Sequence, residues 1–343
     1  MQTLLISIIS DQTIPNVLLI NEFKGNYDGM VFITSDDMEK SGKSNWIEQA
    51  TGIESGSVSR IVVNENSWSD ISAKLNAYEW PENSVFLVNL TGGTKIMTLA
   101  VFEYFAGNSA RIVYSAIGKN QYEEIYPSHE QLPTPIRYRL NLKDYLLAHG
   151  LYFQSSDGMY FPSEHTEHFF SSFKNRKFNF FRTPEILDAH LFPTEQERVY
   201  YSGRWFEEFV YRTLQSKMSL GEDQIAMNVK LFRKLDELQH DNEFDVMFTK
   251  DNSLYVIECK ASVGGKNTIK DKMDHYLHKL GAITRDFGLR VNSYIFTLTD
   301  VSRVAAGKFN GIEKRRKILG IKGIVDATRF YDVSEIVNSI IRL

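Results

Sequence analysis

Strand-like apolar runs alternate with longer amphipathic stretches over the first 140 residues, and this alternation restricts the fold more than any other feature of the chain. Thr3–Ile9, Gly29–Thr34, Ser59–Val63, Val85–Leu90 and Arg111–Ala116 read as strands. Ile14–Phe23, Trp46–Thr51, Trp68–Tyr78 and Lys95–Phe105 read as the helices between them. A helix between successive strands returns the chain to the same end of the sheet, so the pattern predicts a parallel sheet covered on both faces. Pro127, Pro133 and Pro135 then punctuate the chain, and the first domain is taken as residues 1–140.

Residues 141–194 are less regular and are read as a connector. Leu142–Ala148 is helical in pattern and stops at Gly150. Phe169–Phe192 is rich in aromatics and carries Lys174, Arg176, Lys177 and Arg182. Such a mixture either stacks bases and holds phosphate or packs its rings as a linker. From Glu195 the order changes: a helix over Glu195–Gln215, strands at Met227–Phe232, Glu243–Thr249 and Ser253–Ala261, a helix at Ile269–Leu280, a strand at Ser293–Leu298, a basic helix at Glu313–Leu319 and a strand at Gly323–Ala327. Residues 195–343 therefore predict a second α/β domain with a mixed sheet and an antiparallel hairpin at its centre.

Composition excludes several classes. One cysteine, Cys259, allows neither an intrachain disulfide nor a thiolate metal cluster. The N-terminus lacks a basic region ahead of its apolar run, and no apolar run reaches the ~18 residues of a membrane span. A cytoplasmic protein with no membrane partner is expected. Charge is divided: residues 1–140 sum to −6 and residues 196–343 to +4, which places any polyanion partner at the second domain.

The most informative stretch is Asn242–Val246 followed by Tyr255–Lys260. A turn at Asp251–Asn252, or a loop over Lys250–Ser253, sets Asp245 opposite Glu258. Strand side chains alternate faces, so Lys260 points the same way as Glu258. Two facing carboxylates repel. A hard divalent cation, Mg²⁺ or Mn²⁺, removes that conflict, and the neighbouring lysine can orient a metal-bound water or steady charge on a phosphate. The alternative is a weak surface ion-pair ladder worth under ~1 kcal/mol per contact.

Asp245, Glu258 and Lys260 resemble the signature of the PD-(D/E)xK nucleases of restriction-endonuclease type, although no proline precedes Asp245. The resemblance covers residues 195–343 and implies metal-dependent phosphodiester hydrolysis, with Asp245 and Glu258 on the metal and Lys260 catalytic. An upstream helix in that family adds a glutamate to both the metal and catalytic sets. Here Gly203–Val210 matches it, with Glu207 as the best fit and Glu208 as second choice.

In the first domain, Ser41–Gly42–Lys43–Ser44 has the ending of a phosphate-binding P-loop, but Asp37 stands where that motif needs glycine, so ATP hydrolysis is not expected. Thr91–Gly92–Gly93–Thr94–Lys95 follows a strand and opens a helix, a suitable anion cradle; the bland reading is a tight turn capped by threonine. Ser10–Asp11–Gln12–Thr13, Thr34–Ser35 and Gly118–Lys119 are expected at the same sheet edge.

Ser10–Asp11–Gln12 with Pro15–Asn16, and Asn89–Lys95, resemble the Rossmann-like CRISPR-associated sensor (CARF) domains. That resemblance implies that Ser10, Asp11, Gln12, Thr13, Thr91, Gly92, Gly93, Thr94 and Lys95 bind a cyclic oligoadenylate, with cyclic tetra-adenylate as the expected ring. A CARF domain followed by a PD-(D/E)xK domain is similar to the cyclic-oligoadenylate-activated nucleases of type III CRISPR antiviral systems. The implied protein is an allosterically activated homodimer that cuts DNA, with RNA left open. Two rivals stand beside it: a ligand-sensing regulator that binds nucleic acid through Lys314–Lys317 without cutting, and a ring nuclease that degrades the activator. Lys266, Lys270 and Lys272 are candidate phosphate contacts.

Overall fold

The computed structural model describes residues 2–54, 56–127, 132–155, 194–234, 242–264, 268–304 and 306–329, with isolated positions beyond. The aromatic and basic stretch Phe169–Phe192 falls outside these, apart from position 171, and so does Lys266. The chain divides into two compact units. The first is Met1–Tyr152 with Asp251–Ser253 and Phe287–Arg290; the second comprises Phe153–Lys250, Leu254–Asp286 and Val291–Leu343.

In the first unit, β1 (Gln2–Ile8), β2 (Gly29–Ser35), β3 (Ser59–Val63), β4 (Ser84–Asn89) and β5 (Ala110–Tyr114) run parallel. They are joined through α1 (Ile14–Glu22), α2 (Asp36–Lys40), α3 (Lys43–Thr51), α4 (Trp68–Ala77) and α5 (Lys95–Phe105). The strands are apolar because helices cover both faces: Leu4, Ile6, Ile8, Val31, Ile33, Ile61 and Val88 share one buried cluster with Met97, Val101 and Phe105. Each fully buried side chain of this kind contributes about 1.5–3 kcal/mol.

The seven-stranded sheet has the order β3-β2-β1-β4-β5-β6-β7. Its last two strands, β6 (Gln121–Tyr126) and β7 (Thr134–Pro135), are antiparallel additions that the sequence pattern does not announce. β6 reads Gln-Tyr-Glu-Glu-Ile-Tyr, a half-exposed strand whose charges mask its periodicity. A sixth helix, α6 (Leu142–Leu147), lies within the stretch read as connector but belongs to this unit and buries Leu142, Tyr145 and Leu146. The order reverses between β1 and β4, so the loops leaving their carboxyl ends run to opposite faces, and the crevice between such loops is where parallel α/β sheets bind ligands.

The second sheet has six strands in the order β13-β12-β11-β10-β9-β8. β8 (Tyr152–Gln154), β9 (Ile225–Phe232), β10 (Asn242–Lys250) and β11 (Ser253–Lys260) are followed by β12 (Val291–Thr297) and β13 (Gly323–Val325). β9–β10 pair antiparallel, whereas β11–β12 and β12–β13 pair parallel, so the sheet is mixed. The β10–β11 hairpin lies at its centre, turning through Asp251 and Asn252 with φ of 49° and 58°. Positive φ at both turn positions is what a two-residue hairpin requires, and Asp and Asn tolerate it.

The upstream helix is compound: α7 (Glu195–Val199), a π turn (Tyr200–Arg204) and α8 (Trp205–Met218). Trp205, Phe206, Phe209, Val210 and Leu214 pack with Val246, Phe248, Ile257 and Cys259. α9 (Ile269–Ile283) and α10 (Ala306–Ile318) complete the described helices.

Candidate active site and ligand crevice

Because Ile257 and Cys259 face the α8 core, strand alternation turns Glu258 and Lys260 to the opposite face. There the hairpin brings the expected groups together. The Lys260 ammonium lies 3.1 Å from Asp245 Oδ2 and 2.9 Å from Glu258 Oε1. Asp245 Oδ2 also accepts from the Cys259 backbone N–H at 2.6 Å, and Lys260 donates to the Cys259 carbonyl at 3.0 Å. Neither carboxylate is free to turn away: their side chains are 16% and 6% exposed.

Charge is concentrated here. Burial and then the Glu258 charge push the Asp245 carboxyl up to about 6, against the pull of Lys260 and the Cys259 N–H. Glu207, half-buried in the first turn of α8, is pushed up to about 8 by burial and then by Asp245, with Lys260 and Arg204 opposing. Burial pulls the Lys260 ammonium down, but the Asp245 and Glu258 charges outweigh it and hold it above the ordinary lysine range. The Cys259 thiol is pushed up by burial and stays a packed, un-ionised group.

Of the two helix glutamates, Glu207 couples to the hairpin, whereas Glu208 is buried and ion-paired with Arg212. Among the described residues, no group of three or more His, Cys, Asp or Glu is arranged to hold a metal.

Sequence reasoning missed three neighbours. Asn228 stands at the β9 position between two paired residues that flank Asp245, with φ of 50°. It is buried, and its Nδ2 has no hydrogen-bond partner among the described residues. Lys279 and Tyr276, on α9, approach Glu258 and Lys260. The first is betrayed only by strand register and the others only by helix placement.

In the first unit, the loops after β1, β4 and β5 meet at the carboxyl edge. The Thr91 hydroxyl accepts from Ser115 N at 3.0 Å, and Thr91 N donates to Asn89 Oδ1 at 2.9 Å. Asn89 and Asn16 both donate to the buried Ser7 hydroxyl at 2.9 Å, tying the β1 and β4 loops to one polar post. The glycines are needed for this packing: a Cβ on Gly92 would lie 2.3 Å from the Ile8 carbonyl, and one on Gly93 (φ +82°) would lie 2.5 Å from the Ile8 side chain.

Several of the candidate hydroxyls already have partners within the fold. Thr13 is buried and donates to the Ala148 carbonyl. Thr94 caps α5 by accepting from Met97 N and also donates to the Glu65 carbonyl at 2.6 Å. Among the described residues, Ser10 reaches the Gln12 carbonyl at 3.5 Å, while Asp11 is exposed and lies 3.5 Å from Lys43. Gln12 is half-buried, and Gly93, Lys95, Gly118 and Lys119 are exposed at this edge. Thr34 and Ser35 are buried.

The chain is thus a two-domain α/β protein: a largely parallel sheet with a crevice at its reversal point, followed by a mixed sheet with two carboxylates and a lysine on its central hairpin. Residues 4–145 match the family described as the Card1 CARF domain, and residues 194–321 match that described as Card1-like, endonuclease domain. The chain therefore belongs to the Card1-type proteins, a CARF domain followed by an endonuclease domain.

No curated protein matches it. Among solved structures, protein VC1899 from Vibrio cholerae is similar at 16% identity and a TM-score of 0.77, with 99% of this chain and 98% of that one covered. Can2 from Sulfobacillus thermosulfidooxidans in complex with cyclic tetra-adenylate is similar at 19% identity and 0.73, with 99% and 98% covered. A type III CRISPR defence DNA nuclease activated by cyclic oligoadenylate is similar at 15% identity and 0.59, covering 86% of this chain and 45% of that one. At these identities the likeness is one of fold.

Proposed function

We propose that this protein is a metal-dependent endonuclease of type III CRISPR defence, switched on by a cyclic oligoadenylate bound at the crevice of its first domain. The observation that carries the catalytic half is Lys260 Nζ within 3.1 Å of both the Asp245 and the Glu258 carboxylates. Two buried carboxylates on adjoining strands, with the Glu207 carboxyl beside them, form a surplus of hard oxygen donors that fits Mg²⁺ or Mn²⁺. Asp245 and Glu258 would hold the ion, which when bound supplies Lewis acidity and lowers the pKa of water. Lys260 aligns the two carboxylates and balances their charge. Glu207, whose carboxyl is pushed up by burial and then by the Asp245 charge, is the proposed assisting carboxyl beside them.

The sensing half rests on the crevice between β1 and β4. Exposed Lys95, the Gly93 backbone and the dipole of α5 offer positive charge to a ring phosphate. Asp11, Gln12 and Ser10 line the facing loop. The Can2 structure holds cyclic tetra-adenylate, and the same ring is the proposed activator here. Ile96 and Leu99 on α5, with Tyr114 at the end of β5 and Ile117 after it, are large exposed apolar side chains beside this edge, and they suit a two-fold dimer in which each copy faces one half of the ring.

A non-cutting regulator is disfavoured. Arg315 is held 2.6 Å from Asp274, and Arg316 is spent on Glu313 and on the Ile321 and Lys322 carbonyls, so the basic run Lys314–Lys317 is half engaged within its own fold. Among the described residues, no helix is long and apolar enough to cross a membrane. The test is a panel of single- and double-stranded DNA and RNA with Mn²⁺, with and without cyclic tetra-adenylate, and with EDTA. Ring-dependent, EDTA-sensitive cutting is expected. Equal cutting without the ring removes the switch, and band shifts without cutting favour the regulator. Loss of the ring itself in the incubation would favour the ring nuclease.

A further inference from the structure

Lysine carries three N–H donors and no acceptor. On Lys260 two are hydrogen-bonded, to Asp245 Oδ2 and the Cys259 carbonyl, and the ammonium is ion-paired with Glu258 Oε1 at 2.9 Å. A phosphodiester brought to this site therefore competes with these partners for Lys260. Beside the ion that Asp245 and Glu258 would hold, a further side-chain cation at this edge would offset the charge that a strand's phosphates bring to the site.

Helix α9 supplies one. Ile269, Met273, Leu277 and Leu280 form its buried stripe. Lys272, Tyr276 and Lys279 follow at spacings of four and three, so they share a neighbouring stripe along the same helix. Two contacts fix where that stripe ends. The Tyr276 ring centre lies 5.6 Å from Lys260 Nζ, and Lys279 Nζ lies 3.7 Å from Glu258 Oε1. Lys279 is too far from that oxygen for a hydrogen bond, and its side chain is 44% exposed. A half-exposed pair of this length adds little to stability. Glu258 is already satisfied by the nearer Lys260, so the fold gains little from placing a second ammonium beside the first.

We propose that Lys279 is the residue that holds the nucleic-acid phosphate at the cleavage site. Tyr276, its ring centre 5.6 Å from Lys260, is a positioning residue, and Lys272, exposed two turns before Lys279 on the same stripe, contacts a phosphate further outward. This rests on the endonuclease reading, but it concerns binding and can be measured apart from cutting.

The test uses the full chain with cyclic tetra-adenylate, and short fluorescein-labelled DNA and RNA, single- and double-stranded, in EDTA so that cutting is suppressed. Affinity is read by polarisation across a salt series for wild type, K279A, K279R and the outward control K322A; thermal unfolding confirms that each variant is folded. K279A is expected to bind about five- to tenfold more weakly, with the slope of log K against log salt reduced by about 1. K279R keeps the charge and should restore both. With Mn²⁺ present, K279A should raise KM more than it lowers kcat. An unchanged affinity and salt slope in K279A overturns the assignment, and so does an equal loss in K279R or K322A. A wild-type chain that binds through Lys279 yet cuts nothing would leave the phosphate contact standing and defeat the endonuclease reading. A wild-type chain that binds no nucleic acid overturns both.

Discussion

Replacing Glu207 by glutamine should make the protein more stable at alkaline pH while impairing its chemistry. Glu207 holds its proton up to about 8, against an ordinary value of 4.5, because burial and the Asp245 charge oppose its ionisation. A folded-state pKa above the unfolded one means that the folded protein binds the proton more tightly. The stabilisation is complete below 4.5 and is lost as the pH rises through 8. At 1.36 kcal/mol per unit the full span would amount to about 5 kcal/mol. Relaxation and water entry reduce this, and about 2 kcal/mol is the expected gain of Glu207→Gln over wild type between pH 5 and pH 9. For a domain of this size that is a rise in Tm of about 4–8 °C. Asp245, pushed up to about 6, loses stability with the same sign in both proteins and so does not create the difference. The assay is calorimetry in EDTA at pH 5 and pH 9. Near-equal Tm values at pH 5 and a clear advantage for the variant at pH 9 are expected, together with reduced cleavage. Parallel pH profiles for the two proteins would refute the placement of Glu207 in the field of the hairpin carboxylates.

Glu258→Gln and Lys260→Ala should each lower cleavage by at least about a hundredfold while calorimetric binding of cyclic tetra-adenylate stays unchanged, since both lie in the second unit. Lys95→Ala should weaken ring binding by about 1–2 kcal/mol, read as a five- to thirtyfold rise in the activator concentration needed for half-maximal cutting. Gly92→Ala would force a methyl to within 2.3 Å of the Ile8 carbonyl, so it should cost about 2–3 kcal/mol in unfolding measurements and reduce ring affinity by moving the β4 loop.

Local patterns settled much of this protein. The five parallel strands and the helices between them are legible because a strand buried on both faces must be apolar and its crossover helix must be amphipathic. The meeting of Asp245, Glu258 and Lys260 is legible for a related reason: strand side chains repeat every two residues, and a turn through Asp251–Asn252 fixes the register. Other features depend on partners far along the chain. The composition of Thr13 and Thr94 suits a ligand crevice, yet their hydroxyls turn to the Ala148 and Glu65 carbonyls. Arg315 and Arg316 look like a basic patch but are engaged by Asp274, Glu313 and nearby carbonyls. Lys279 lies nineteen residues past Lys260 with no motif to mark it, and only the packing of α9 brings it to Glu258. Side-chain periodicity is a property of neighbouring residues and survives in a linear string. Whether a hydroxyl, an ammonium or a guanidinium is free for a ligand depends on which donors and acceptors the completed fold sets beside it, and only the tertiary structure decides that.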